Sequence, residues 1–356
     1  LSLDIRYQQI FKGEEAVPMP EDCYQGADIL ERAQEFAGLN GDGYLEKSQE
    51  ERQKALVDFA LPKNIAKMQS DLKKYRIEYD TWFHESVLHN DGEIQDTLKI
   101  LTEKGMTYEL DGALWYKATD FGAEKDEVLV RKNGNPTYFA ADIAYHRNKF
   151  QRGFDRCIDI WGADHHGHVA RMKGAMNAVG LDGSKLDVVL MQLVKLVRNG
   201  EIVRISKRTG KAIQLADLLD EVPVDAARFL FNMREANSQM EFDLDLAVQQ
   251  DAQNPVYYVQ YAHARICSIL KALEKDGVVK RACSEEELLL LVQPEELSLI
   301  RHLAAYTGEV VSAAKDYDPA RITRYVIDLA NLFHKFYNAC RVKGEEDSLC
   351  QARLTL

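Results

Sequence analysis

Between residues 27 and 110, apolar positions recur three and four apart among charged ones, as in Ile65-Ala66-Lys67-Met68-Gln69-Ser70-Asp71-Leu72, and predict amphipathic helices. The pattern then shortens. Leu114-Trp115-Tyr116 and Val128-Leu129-Val130-Arg131 have the aromatic and β-branched character of strands, with Asn133-Gly134 as a turn between strands. Cys157-Ile158-Asp159-Ile160-Trp161 predicts another strand, and Gly162-Ala163-Asp164 leads into a helix with Val169, Met172, Met176 and Val179 on one face, stopped by Gly180 and Gly183. The apolar run Val188 to Val194 predicts a buried strand, and Arg198-Asn199-Gly200-Glu201 a tight hairpin. Strand alternating with helix is α/β architecture. Beyond about residue 248 no strand is predicted. Asn254-Pro255 opens a helix through Leu270, Ser284 and Glu287 have capping-box spacing, and Asp318-Pro319 opens a helix with Ile322, Tyr325, Val326, Leu329 and Phe333 on its apolar side. The expected division is an α/β domain over 1–248 and an all-α helical bundle over 249–356.

Composition narrows the class without naming a function. The 356 residues are 46% hydrophobic and 29% charged, which excludes disorder, collagen-like repeats and disulfide miniproteins. No run of about 18 apolar residues occurs, so a soluble chain is expected. The six cysteines lie far apart without a CxxC pair or a signal-peptide pattern, which predicts reduced thiols and a cytoplasmic location. The net charge of −12 is concentrated before Asn254, since the segment from there on carries 13 basic and 14 acidic residues. Such acidity argues against non-specific coating of DNA but leaves room for a local basic surface that docks a structured RNA.

Four clusters could carry chemistry. Gly162-Ala163-Asp164-His165-His166-Gly167-His168 falls where a strand ends and a helix begins, the usual ligand position in open α/β sheets, and suits phosphate chemistry or a divalent metal; Asp164 as a simple helix cap is the bland alternative. Consecutive histidines point in different directions on a helix, so no metal site is assigned. Arg204-Ile205-Ser206-Lys207-Arg208-Thr209-Gly210-Lys211 is a cationic island in an acidic domain and could wrap triphosphate oxygens, or be an exposed basic turn. Tyr138 and Asp142, four apart, place a phenol and a carboxylate on one helical face as a clamp for a cation; a capped helix start explains them equally. Tyr257, Tyr261 and Arg265 could stack on RNA or pack into a core.

In order, Asp111-Gly112-Ala113-Leu114-Trp115, Thr119-Asp120-Phe121-Gly122, Tyr138 to Tyr145, Trp161 to His168, Ile205 to Lys211 and Asn254 to Arg265 resemble bacterial arginyl-tRNA synthetases over essentially the whole chain. The resemblance implies a class I catalytic domain of Rossmann type followed by an all-α anticodon-binding domain. It implies ATP-dependent activation of L-arginine to an adenylate, with Mg2+ accompanying ATP, and transfer to the 3′ end of tRNA(Arg); no membrane or DNA partner is expected. Carried onto this chain, it implies that Tyr138, Asp142 and His166 bind the arginine side chain. Gly162, Asp164, His165, His168, Lys207 and Arg208 are implied for ATP, with Lys207, Ser206 and Arg204 as catalytic groups. Tyr257, Tyr261 and Arg265 are implied for tRNA. A Tyr–Asp clamp by itself accepts arginine or lysine.

One departure stands out. Class I synthetases carry a HIGH-type motif upstream of the arginine-binding segment, whereas the HxGH pattern here, His165 to His168, sits about forty residues before Ser206. The genuine motif, with an N-terminal tRNA-binding domain, is therefore expected before Leu1, and the bundle is expected to stop short of the usual chain end. The chain is accordingly read as a truncated synthetase without full activity. Two other readings stand beside it. Asp164-His165-His166 resembles the DHH signature of manganese phosphoesterases, with Asp155 and Asp159 as further carboxylates, and a non-catalytic, synthetase-like RNA-binding protein would share the same scaffold.

Overall fold

Ser48 starts the longest helix of the N-terminal part. Its hydroxyl accepts from Glu51 N at 3.2 Å while the Glu51 carboxylate accepts from Ser48 N at 3.3 Å, a complete capping box. That helix, α3 (Gln49–Lys74), packs with α1 (Ser2–Lys12) and α2 (Ala27–Asn40) in a unit spanning Leu1–Asp80. Its core is aromatic. Phe36 meets Tyr7, Tyr44 and Phe59 at ring distances of 5.0–5.4 Å, and the Tyr7 hydroxyl, buried with its ring, donates to Gly41 O at 2.7 Å. Asp4 and Arg52 form a buried ion pair across α1 and α3, with Gln53 donating a further hydrogen bond to Asp4.

The structure, a computed structural model, describes residues 1–204 and 213–356. Its second unit is Thr81–Leu356. There α4 (Glu85–Asn90) and α5 (Glu93–Glu103) precede an antiparallel sheet of β1 (Thr107–Leu110), β2 (Ala113–Tyr116) and β3 (Glu127–Val130). Asp111-Gly112 closes the first hairpin with φ of 51° and 75°, the doubly left-handed turn that matches strand twist. Next come α6 (Tyr138–Gln151), β4 (Cys157–Gly162), α7 (His166–Val179) and β5 (Leu186–Met191), with β4 and β5 parallel and in register from Cys157↔Leu186 to Gly162↔Met191. Leu88, Ile94, Leu101, Tyr116, Leu129, Ile143, Met172, Met176 and Leu186 are buried in one core between these layers. Burial of each such large side chain contributes about 1.5–3 kcal/mol. Met172 and Met176 are fully buried, as the helical face predicted, and Gly180 ends α7 with φ 94°.

Two sequence expectations change. Asn133-Gly134 is a turn, but it returns the chain to a single bridge, Val130↔Pro136, instead of a full strand. The run Val188 to Val194 is not one buried strand. It breaks at Gln192-Leu193, with Leu193 86% exposed, into β5 and β6 (Val194–Arg198), which belong to different sheets. Hydrophobicity alone does not reveal such a break, because both halves have the same apolar character. The Asn199-Gly200 hairpin joins β6 to β7 (Glu201–Ile202) as expected, and β8 (Met240–Asp243), which the sequence reading did not anticipate, pairs in parallel with β6.

Helices α8 (Leu215–Glu221), α9 (Val224–Phe231) and α10 (Leu244–Val248) surround β8, and from there the described chain is helical: α11 (Pro255–Lys275), α12 (Glu285–Leu288), α13 (Pro294–Asp316), α14 (Ala320–Ala339) and α15 (Asp347–Thr355). Asn254 caps α11 by accepting from Val256 N at 3.0 Å, and Asp318 accepts from Ala320 N at the start of α14. Ala262, Leu273, Leu299, Ala330, Phe333 and Phe336 form the bundle core, and the buried Arg353 holds the fully buried Glu296 at 2.6 Å.

Sheet and bundle meet at Asp187. Its carboxylate accepts from the Tyr317 hydroxyl at 2.7 Å and from Arg156, and Thr323 Oγ1 donates to Asn232 O at 2.6 Å beside it in the fold. The Tyr317 hydrogen bond and then the Arg156 interaction hold the Asp187 carboxyl below its ordinary range. A carboxylate with a depressed folded value stabilises the fold above the unfolded value, near 3.9, and loses that contribution as pH falls through the folded value. Protection factors at the start of α14, corrected for intrinsic amide exchange, will therefore fall as the pH is lowered below about 4, and an Asp187→Ala variant will show the lower protection already at pH 7. Equal protection in the two proteins at pH 7 would refute the tie.

Candidate active site

Thr137 fixes where α6 begins. Its hydroxyl accepts from Ala140 N at 3.3 Å and donates to Val128 O at 2.7 Å, so the helix start is pinned to β3. Tyr138 is the first helical residue, 79% exposed, and Asp142 lies one turn on with its side chain half exposed. Facing them is the end of β4. Strand alternation sends Cys157, Asp159 and Trp161 toward α6 and α7, and leaves Ile158 and Ile160 exposed on the opposite face. Gly162 closes the strand, a short 3-10 turn covers Ala163 to His165, and α7 starts at His166.

The three histidines of this turn do not converge. His168 points inward: its ring sits 5.5 Å from Phe139 and 5.2 Å from Trp161, and its Nε2 lies 3.3 Å from Asp142 Oδ2. His165 and Asp164 are exposed and 3.8 Å apart, and His166 is exposed as well. Among the described residues no group of three His, Cys, Asp or Glu side chains is arranged to hold a metal ion.

Beneath Asp142 lies a buried charged network that sequence reasoning missed. His146 Nδ1 is 2.7 Å from the Asp142 carbonyl oxygen, its Nε2 is 2.5 Å from Asp159 Oδ2, and Lys149 Nζ donates to Asp159 Oδ1 at 2.5 Å. Both ring nitrogens of His146 thus face oxygen atoms. Burial pushes the Asp159 carboxyl up, but the hydrogen bond and charge of His146, then those of Lys149, outweigh it and hold the group below its ordinary value. Trp161 stands edge-on to His146 at 87° while its ring faces His168, so network and site share one wall. The i,i+4 spacing of Asp142 and His146 was the available signal, and it is too common to single out.

A second constellation lies on α11 and α14. Tyr257 and Tyr261 are parallel at 6.3 Å and 5°, and the Arg265 guanidinium lies 4.6 Å above the Tyr261 ring and 4.4 Å from that of Tyr337. Arg265 also donates to the Tyr261 hydroxyl at 2.6 Å and lies 3.2 Å from His334 Nδ1. Burial, then the Arg265 charge, lowers the His334 pKa. Tyr257, Tyr261, Arg265 and His334 line an open cavity of about 480 Å³. Arg204 is exposed, and Ser206, Lys207 and Arg208 lie outside the described residues.

Residues 29–269 match the family described as tRNA synthetases class I (R), catalytic domain, and residues 259–356 match the DALR anticodon binding domain. The chain belongs to the class I arginyl-tRNA synthetase family. It is 57% identical over its full length to an arginine–tRNA ligase of Ruminiclostridium cellulolyticum and spans 63% of that relative. A Campylobacter jejuni protein assigned as an arginyl-tRNA synthetase superposes with a TM-score of 0.84 at 32% identity, covering 99% of this chain and 76% of that one. The Thermus thermophilus arginyl-tRNA synthetase shares the fold, with a TM-score of 0.76 at 21% identity over 99% of this chain and 69% of that chain. The class I synthetase architecture, catalytic part followed by helical anticodon-binding part, is therefore that of the family. The phosphoesterase reading finds no support in these similarities, and Asp159, one of its carboxylates, is engaged by His146 and Lys149.

Removing the central anion tests the buried network. Asp159→Ala leaves the Lys149 ammonium and the buried His146 ring without the carboxylate they share, a loss of about 3–5 kcal/mol. Amide exchange along α6 and β4 should speed up accordingly. Unchanged protection there would mean that the network carries no stability.

Proposed function

We propose that this chain serves arginine–tRNA ligation: ATP-dependent activation of L-arginine to arginyl-adenylate, then transfer to the 3′ end of the cognate tRNA. The observation that carries the reading is the Asp142 carboxylate beside the exposed Tyr138 at the carboxyl end of a parallel strand, where open α/β folds bind ligands. A guanidinium pairs with a carboxylate through two parallel N–H···O bonds, and a neighbouring phenol adds a ring face and a hydroxyl. In this reading Tyr138, Asp142 and His166 receive the arginine side chain.

ATP lies across the turn that follows β4. The backbone of Gly162, with Asp164, His165 and His168, borders it, and Lys207, assisted by Arg204 and Arg208, supplies charge to the phosphates, with the Ser206 hydroxyl beside Lys207 in sequence as a further catalytic group. The arginine carboxylate attacks the α-phosphorus, the bond to the β-phosphate oxygen breaks, and pyrophosphate leaves with its charge met by these cations. Mg2+ enters with ATP as part of the substrate. The division of labour falls near residue 248: the part before it performs chemistry, and the helical part, with Tyr257, Tyr261 and Arg265, contacts tRNA(Arg) by stacking and charge. The setting is the cytoplasm.

Arginylation of the matching tRNA by the 356-residue chain and by a version extended upstream tests the reading. Transfer of arginine is expected in the extended version, and Asp142→Ala should lower kcat/KM for arginine there by roughly 10²–10³-fold, since it strands a cation without its anion. Silence of the extended version would reject the ligase reading. Tyr261→Ala is expected to raise KM for tRNA about tenfold, the scale of one lost stacking contact, with KM for arginine unchanged. An effect on arginine instead would move Tyr261 out of the tRNA surface.

A further inference from the structure

Two histidines lie against Asp142: His146 Nδ1 is 2.7 Å from its backbone carbonyl oxygen, and His168 Nε2 is 3.3 Å from its carboxylate. We infer that His168 is a positioning residue which fixes the plane of the Asp142 carboxylate and so sets a preference for a guanidinium over an ammonium ligand. This rests on the arginine-binding reading of α6.

The terminal torsion of an aspartate is soft, so a half-exposed carboxylate on a first helical turn turns freely unless something holds it. His168 does so through packing. Its side chain is 17% exposed and its ring is confined between Phe139 and Trp161, which fixes the position of Nε2 against Oδ2. Trp161 is in turn braced edge-on by His146, whose own place is set by buried Asp159. The carboxylate plane is therefore referred back to the strand and not to solvent.

The two candidate cations read that plane differently. A guanidinium is a flat fork that needs both oxygens coplanar with it; an ammonium is a point charge, indifferent to the torsion. Fixing the carboxylate in advance spares the fork-shaped ligand the loss of a rotor and gives the point charge little. The Tyr–Asp pair by itself accepts either ligand, and His168 supplies the missing discrimination.

Calorimetric titration of L-arginine and L-lysine into the 356-residue chain, its His168→Leu variant and its His168→Gln variant decides the matter. The unsubstituted chain should prefer arginine. His168→Leu should weaken arginine about tenfold, the scale of one lost polar contact to a charged group, while lysine changes less than about threefold. His168→Gln places an amide N–H near the position of Nε2 and should restore arginine to within about threefold of the original. If His168→Leu loses the folded circular-dichroism spectrum, His168→Asn, whose shorter amide stops short of Oδ2, replaces it with the same expectation. An unchanged arginine-to-lysine ratio, or a glutamine variant as impaired as the leucine one, overturns the inference and assigns the ring to packing alone. Absence of arginine binding in the unsubstituted chain overturns the arginine-binding reading itself, and the inference with it.

Discussion

The candidate active site depends on one buried anion. Asp159 is 7% exposed on a strand, and taking a carboxylate out of water costs several kcal/mol unless cations meet it. His146 and Lys149 meet it, and they stand one turn apart on α6, so the pairing fixes both the rotation and the height of that helix over β4. The same imidazole reaches the Asp142 carbonyl and the edge of Trp161. A helix that packed through apolar contacts alone could slide by a fraction of a turn at small cost; a helix pinned through a buried ion pair has one position. The open end of α6 can then remain exposed, with Tyr138 in solvent, because its geometry is set from below.

The fold was largely legible in the sequence, and the reasons are local. Methionines at 172 and 176 share a helical face, Asn254-Pro255 and Ser284 with Glu287 are caps, and Asn199-Gly200 is a turn whose left-handed backbone few other pairs adopt. What was not legible is non-local. Nothing in Val188 to Val194 says that the chain changes sheets at Gln192-Leu193, and Met240 to Asp243 is too short and polar to announce a strand that exists through its pairing with β6. The site follows the same rule. Tyr138 and Asp142 were visible as an i,i+4 pair and His168 as part of a histidine cluster, but that His168 turns to Asp142 while His165 and His166 stay in solvent is decided by Phe139 and Trp161, residues distant in sequence from one another.

Among the described residues, two hydrogen bonds link the α/β elements to the helices that follow. Asp187, at the start of β5, receives Tyr317 from the end of α13, and Asn232 receives Thr323 from α14. Tyr317 caps α13 in a left-handed backbone, φ 52°, which is unfavourable for an aromatic residue; its N–H donates to Ala313 O and its hydroxyl to Asp187.

Gly174 lies in the middle of α7, where a Cβ would come within 2.6 Å of the Phe121 Cβ. Its bare backbone lets the helix settle against the turn at Ala118 to Phe121. Six residues separate it from His168, about 9 Å along a helix axis. A stiff helix works over that length as a lever, and the turn at Phe121 is its fulcrum. A Cβ at this point forces the helix or the Phe121 turn to shift, and a shift of the helix moves the His168 ring that lies against the Asp142 carboxylate. The tolerance of the site for error is thus set by the volume of a single hydrogen atom at a position that touches no ligand.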